Sequence, residues 1–299
     1  MMKKTSTGRR EFFRKVGLGA AGIVASSTLD KWRSAEVLAD EPTGKLPRRK
    51  LGRNDLMAST LALGAGSRFT GEQFLSAAER ERYLSYAMEQ GVNYIDTAIH
   101  YGNSEQLLGN ILTPSDWDNL ILSTKTTSKT YDGVMADFKT SKGRLKRDHF
   151  DVYLLHEKAL SNNVEGNADA FRALQDLREA GDVSNIGYST HGTLSPPMAV
   201  KLVEEFDLDH CILTTSRGNR ADYRETIPDI VDKGCTVAAF KVARYLEGEG
   251  PGSGVADNYR DVLKRPISSA VISHSNAGEG VTWKDVLDAN LTTARDFEK

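Results

Sequence analysis

The chain has 299 residues, with 39% hydrophobic and 27% charged side chains and a formal net charge of -2. A balance so close to neutral gives no electrostatic footprint for nucleic acid or an anionic membrane surface, so neither is expected as a partner. The two cysteines, Cys211 and Cys235, are too few and too far apart for a zinc cluster, an iron–sulfur centre or a disulfide-rich scaffold, and no metal site is expected.

The first residues read MMKKTSTGRREFFRKVGLGAAGIVASSTL: basic residues, the pair Arg9-Arg10, then a mild apolar run from Val16 to Leu29 rich in Gly and Ala. This resembles a twin-arginine (Tat) export signal, with a small-residue cleavage site at Val37-Leu38-Ala39. The apolar run is short for a membrane span, so no stable span is expected after cleavage. Residues 1–39 are therefore expected to be the signal peptide, 40–47 a linker and 48–299 one domain. The Tat translocase is the expected partner during export and the periplasm, or another exported location, the destination.

From Arg48, RRKLGRNDLMASTLALGAG suggests a hairpin across Asn54-Asp55 and a first buried strand around Thr60–Gly64. Further short apolar runs follow at Asn93–Ala98, Leu120–Lys125, Phe150–His156, Val183–Ser189, His210–Thr215, Thr236–Val242 and Ser269–Ser273. Between them lie amphipathic stretches such as AAERERYLSYAMEQG, YDGVMADFKTSKGRLK, NADAFRALQDLREAG, PPMAVKLVEEF and YRETIPDIVDKG, several of which end at glycine, where a left-handed cap is wanted. Eight such alternations predict an α/β fold, a closed (β/α)8 TIM barrel with an N-terminal β-hairpin. No GxGxxG turn follows the first strand, which counts against a Rossmann domain. Catalytic groups of such a barrel belong at the carboxyl ends of its strands. There the chain places Asp96 and Tyr101 in GVNYIDTAIHYGNSEQLLG, Lys125 at the end of LILSTK and His156 at the end of FDVYLLH.

These motifs, with KLGRNDLMAST, LALGAG and IGYST, are similar to those of the aldo-keto reductases from about Arg48 to the C-terminus. The Asp-to-Tyr spacing of five, the Lys closing the third barrel strand and the His closing the fourth match the family tetrad. The resemblance implies an oxidoreductase that binds NADP(H), with NAD(H) as the alternative, and reduces a small aldehyde or ketone. Hydride addition leaves an alkoxide, so a proton donor must stand beside the oxygen. Tyr101 is that donor. Lys125 is expected to lower its pKa, Asp96 to keep Lys125 charged, and His156 to stay neutral and donate a hydrogen bond to the substrate oxygen. His100 is expected at the wall of the pocket mouth, and His149, His210 and His274 on the surface or in packing.

The family's Ser-Asn ending of the fifth strand is replaced here by Ser189, Thr190 and His191, which are expected to hold the nicotinamide carboxamide. The sixth strand lacks the usual glutamine and stacking aromatic. After the eighth strand Ser273 and Asn276 stand where a Lys or Arg commonly meets the 2′-phosphate, so Lys241 and Arg244 are the expected cations near the pyrophosphate. The alternative to an enzyme is a non-catalytic cofactor-binding barrel acting as a sensor or accessory subunit. A metal-assisted barrel hydrolase lacks ligands at enough strand ends. Cys211 and Cys235 are expected to be free thiols, because a protein folded in the cytoplasm before export meets no oxidant.

Overall fold

The computed structural model describes residues 46–215, 223–240, 242, 259–272 and 282–297. The expected export signal and all but the end of the linker lie outside the described residues. So do Lys241, Arg244, Ser273 and Asn276.

Strands β1 (Arg48–Leu51) and β2 (Leu56–Ser59) form the expected antiparallel hairpin, with Leu51 opposite Leu56. Gly52 turns the chain at φ 72°, and a Cβ there would lie 1.9 Å from Asn185 Oδ1, so both backbone sign and space demand glycine. Its N–H donates to Thr236 Oγ1 at 2.7 Å, and Arg53 N–H donates to Asn185 Oδ1 at 3.0 Å. Leu51 and Ala58 join the inner apolar cluster, so the hairpin closes the amino-terminal end of the barrel.

The eight parallel strands are β3 (Leu61–Gly64), β4 (Tyr94–Asp96), β5 (Ile121–Thr126), β6 (Phe150–His156), β7 (Val183–Thr190), β8 (His210–Thr214), β9 (Thr236–Phe240) and β10 (Ser269–Ile272). They pair in chain order, and β10 returns to β3 to close the barrel. Each matches an apolar run expected to be a strand, with ends shifted by a residue or two. The pleat sorts the side chains into two layers. Ala62, Tyr94, Ile121, Val152, Leu154, Ile212, Ala238 and Val271 fill the interior. Leu63, Ile95, Leu122, Leu155, Tyr188, Leu213 and Val237 alternate with them and pack under the helices.

Five of these helices follow the amphipathic stretches named above: α2 (Ala77–Glu89), α5 (Tyr131–Leu145), α6 (Glu165–Glu179), α7 (Pro196–Phe206) and α8 (Ile227–Asp232). Helices α1 (Ser67–Thr70), α3 (Ser104–Ile111), α4 (Pro114–Trp117) and α9 (Trp283–Phe297) complete the described set. Ser76 and Glu79 make a reciprocal capping box at the start of α2. The left-handed cap falls on glycine at Gly91, Gly181 and Gly234, but α5 and α7 end on Lys146 and Asp207, both at φ 53°. Asp207 is held there by the Arg53 guanidinium, and Arg178 reaches the buried Asp209 at 2.7 Å.

Cys211 and Cys235 are free, buried, and on the same outer face of the sheet, with their sulfurs 3.5 Å apart. His149 accepts or donates at the surface to Ser184 Oγ at 2.8 Å. His210 lies inside the barrel, against Thr236 Oγ1 at 2.8 Å and Tyr94 OH at 3.4 Å. Among the described residues no helix is long and apolar enough to cross a membrane.

Candidate active site

The pleat that fills the interior also aims the last inward residue of each strand at the carboxyl-terminal mouth. On β4 that residue is Asp96, on β5 Lys125, on β6 His156 and on β7 Ser189, which lies opposite His156 in register. Lys125 Nζ donates to both Asp96 carboxylate oxygens, at 2.6 and 2.7 Å, and to the Thr97 carbonyl at 2.7 Å. Burial pulls the Lys125 pKa down, and the Asp96 carboxylate opposes it. The ammonium is thus fully satisfied in a water-poor place.

The loop after β4 is pinned from several sides. Thr97 N–H donates to Ser123 O at 2.8 Å, Ile99 N–H to Lys125 O at 3.1 Å, and Arg144 Nη1 to Ile99 O at 3.1 Å. These contacts set Tyr101 beside Gly66, where an added Cβ would lie 3.8 Å from the ring. The Tyr101 hydroxyl stands 3.4 Å from His156 Nε2, and the Lys125 ammonium lies 5.4 Å from the centre of the Tyr101 ring. The phenol is pushed up, not down: burial is the main cause, followed by the carboxylates of Asp96 and Glu157. The net shift of Tyr101 is thus upward and it is held as a neutral phenol, because burial and the two carboxylates outweigh the lowering expected from Lys125.

Burial, with Lys125 and the neighbouring His100 and His191, brings the His156 pKa down to about 2. Its Nδ1 is buried without a hydrogen-bond partner among the described residues. A proton there would be a buried unpaired donor, so the proton belongs on Nε2, facing the Tyr101 hydroxyl. The His100 ring lies 4.2 Å from that of His156 and 4.6 Å from that of Tyr101, centre to centre, tilted to both. The expected wall of the mouth is thus an aromatic one.

Ser189 and His191 flank this group. The His191 ring lies 5.8 Å from His156, and its backbone N–H donates to the Glu157 carboxylate. Thr190, expected beside them, is set apart: it follows the outward alternation of Tyr188, is fully buried, and its hydroxyl accepts from Gly192 N–H at 3.3 Å. One group escaped the sequence reading: Phe240 ends β9 with its ring 4.2 Å from His191. Thr215, which the sixth strand was expected to offer in place of the glutamine, lies just past β8 with a buried hydroxyl that has no partner among the described residues. An aromatic closing a barrel strand was the available signal for Phe240.

Residues 60–241 match the family model of the aldo/keto reductases. The chain belongs to that family. The match contains all four residues of the Asp96–Lys125–Tyr101–His156 group. The family member is 35% identical over 231 residues to an aldo-keto reductase of Mycolicibacterium paratuberculosis, covering 73% of this chain and 79% of that one. It is 31% identical over 160 residues to an uncharacterized oxidoreductase of Bacillus subtilis, covering 48% of each. The chain spans about half or less of the length of several curated relatives it matches. A solved aldo-keto reductase structure from Pseudomonas aeruginosa superposes with a TM-score of 0.69 at 20% identity, covering 84% of this chain and 95% of that one. At that identity the likeness shows the shared barrel.

Proposed function

We propose that the protein reduces the carbonyl group of a small aldehyde or ketone at the expense of a nicotinamide nucleotide, with Asp96, Tyr101, Lys125 and His156 as its catalytic residues. The observation that carries this reading is the Tyr101 hydroxyl 3.4 Å from the neutral His156, above a fully buried Lys125–Asp96 pair. The rim fits the nicotinamide end of a nucleotide in its side chains: Ser189 lies in register with His156, and the ring of Phe240 stands 4.2 Å from that of His191. Ser189, His191 and Phe240 are the described residues that would hold the nicotinamide end. When bound, the nucleotide supplies the hydride.

Tyr101 and His156 receive the carbonyl oxygen between their O–H and N–H groups, polarising it. As negative charge builds on that oxygen, the phenol proton moves to it. The nearby ammonium limits the cost of the phenolate left behind, because Asp96 keeps Lys125 charged at the base of the pocket. The buried walls exclude water from the reacting carbon. All four polar groups of the tetrad stand together, so a non-catalytic barrel is not favoured.

NADP(H), typical of the family, is the proposed nucleotide, with NAD(H) also accepted because the sequence offers Ser273 and Asn276 where a cation commonly meets the 2′-phosphate; Lys241 and Arg244 are the cations in sequence nearest the expected pyrophosphate site. Export through the Tat pathway, with cleavage after Ala39, is proposed from the Arg9-Arg10 pair and the apolar run that follows. N-terminal sequencing of exported protein tests it, and retention in the cytoplasm would reject it. For the reaction, nicotinamide fluorescence titrations should show binding to wild type and Tyr101→Phe alike. Carbonyl reduction by Tyr101→Phe should fall by roughly a thousandfold or more. A variant keeping over a tenth of the activity removes Tyr101 from its role.

A further inference from the structure

We propose that His100 is a specificity-determining residue that favours carbonyl substrates carrying a neutral oxygen, a hydroxyl or a second carbonyl, on the carbon next to the one reduced. This rests on the reductase reading above and adds a substrate class to it. The place for the reacting oxygen is marked by Tyr101 OH and His156 Nε2, 3.4 Å apart. The His100 ring stands 4.2 Å from His156 and 4.6 Å from Tyr101, tilted 58° and 56° to them, so the three rings form one wall of the mouth. A group that close to both cannot be indifferent to the atom attached beside the carbonyl carbon.

Its chemistry is equally defined. His100 is half-buried, and its Nδ1 is inside the protein with no hydrogen-bond partner among the described residues. A lone pair is the cheaper occupant of that buried position, so the proton belongs on Nε2, the other ring nitrogen. Burial, with the Lys158 and Lys125 ammoniums, brings the His100 pKa down to about 4, so the ring is uncharged near neutrality. His100 therefore offers one neutral N–H. A neutral donor matches a hydroxyl or carbonyl oxygen, whereas a carboxylate is better met by a cation or a bidentate partner. No other role claims this side chain, which makes no hydrogen bond to the described residues and touches its neighbours only through its ring faces and edges.

The test compares three ketones of similar size with NADPH and NADH: butan-2-one, 3-hydroxybutan-2-one and 2-oxobutanoate. The quantity read is kcat/KM for 3-hydroxybutan-2-one divided by that for butan-2-one, which cancels losses common to both. One neutral hydrogen bond predicts that His100→Phe lowers this ratio about tenfold. His100→Gln, which restores an N–H donor, should recover part of it, and His100→Leu repeats the loss without the ring. Nicotinamide fluorescence titration and thermal melting confirm that each variant is folded. A ratio unchanged in the Phe and Leu variants overturns the assignment while leaving the reductase reading intact. So does a loss confined to 2-oxobutanoate, which would make His100 a carboxylate reader. If wild type reduces none of the three with either nucleotide, the reductase reading fails and the assignment falls with it.

Discussion

Removing one member of the Lys125–Asp96 pair should cost more than removing both. Their side chains are only 1% and 8% exposed, and Lys125 makes three short donor contacts, two of them to Asp96. Truncating one partner of such a buried pair strands a charge and costs about 3–5 kcal/mol. In a domain of this size that is a fall in melting temperature of roughly 10 °C. Lys125→Met strands the Asp96 carboxylate and Asp96→Leu strands the ammonium. The double variant strands neither, so its loss should fall short of the summed single losses by about 2 kcal/mol or more. The sign with pH follows. In Lys125→Met the buried Asp96 carboxylate is left without its cation, and taking up a proton relieves that stranded charge in the folded state. The folded state then binds more protons, and this variant gains stability relative to wild type as pH falls from 7 to 5. Urea unfolding of all four proteins, followed by tryptophan fluorescence at pH 7 and pH 5, reads both effects. Strict additivity, or identical pH dependence in wild type and Lys125→Met, refutes the view of the pair as one electrostatic unit.

Further outcomes follow from other parts of the molecule. His210 is buried in the barrel, and desolvation brings its pKa down to about 3. Its contribution to stability is present above about pH 6.5 and is lost as pH falls, because only the unfolded state takes up the proton. His210→Gln should therefore reduce the slope of unfolding free energy between pH 6 and 4.5 by about 1.4 kcal/mol per pH unit, and an equal slope in urea melts would contradict that burial. Discrimination between NADPH and NADH should be about tenfold or less, since Ser273 and Asn276 stand where a cation is usual. A thousandfold preference in fluorescence titrations would mean that an unassigned cation reads the 2′-phosphate. Labelling denatured, unreduced protein with a thiol reagent should modify both Cys211 and Cys235, and no labelling would mean that the 3.5 Å contact closes to a bond.

The eight strands were legible because each is a short apolar run sealed on both faces, a pattern no solvent-facing segment can carry. Asp96, Lys125 and His156 were legible for a related reason: a charged or polar group closing such a run must face a mouth or be costly. Facing and burial were harder to read. Thr190 follows Ser189 directly, yet the period-two pleat sends it to the opposite side of the sheet. The direction of the Tyr101 shift depends on how much water the loop after β4 excludes, which spacing along a chain does not encode. For His210 the sequence left surface and packing both open, and the pleat makes it a packing residue inside the barrel, where Tyr94 and Thr236 take its ring nitrogens. Phe240 belongs to a strand whose other residues are small, so only the closed barrel brings it against His191.

On the proposed reading, the neutrality of the mouth is itself part of the chemistry. Lys125 and Asp96 cancel each other, Tyr101 is held as a phenol by burial, and His100 and His156 are held as uncharged imidazoles. With all these groups neutral or paired, the charge that develops on a carbonyl oxygen is the one uncompensated charge among them. The His156 N–H and the Tyr101 O–H meet it in a low-dielectric setting, where such donors are strongest. Burial thus does two things with one set of contacts. It makes Tyr101 a reluctant acid at rest, and it makes the oxygen that takes the proton the most favourable place for that proton to go.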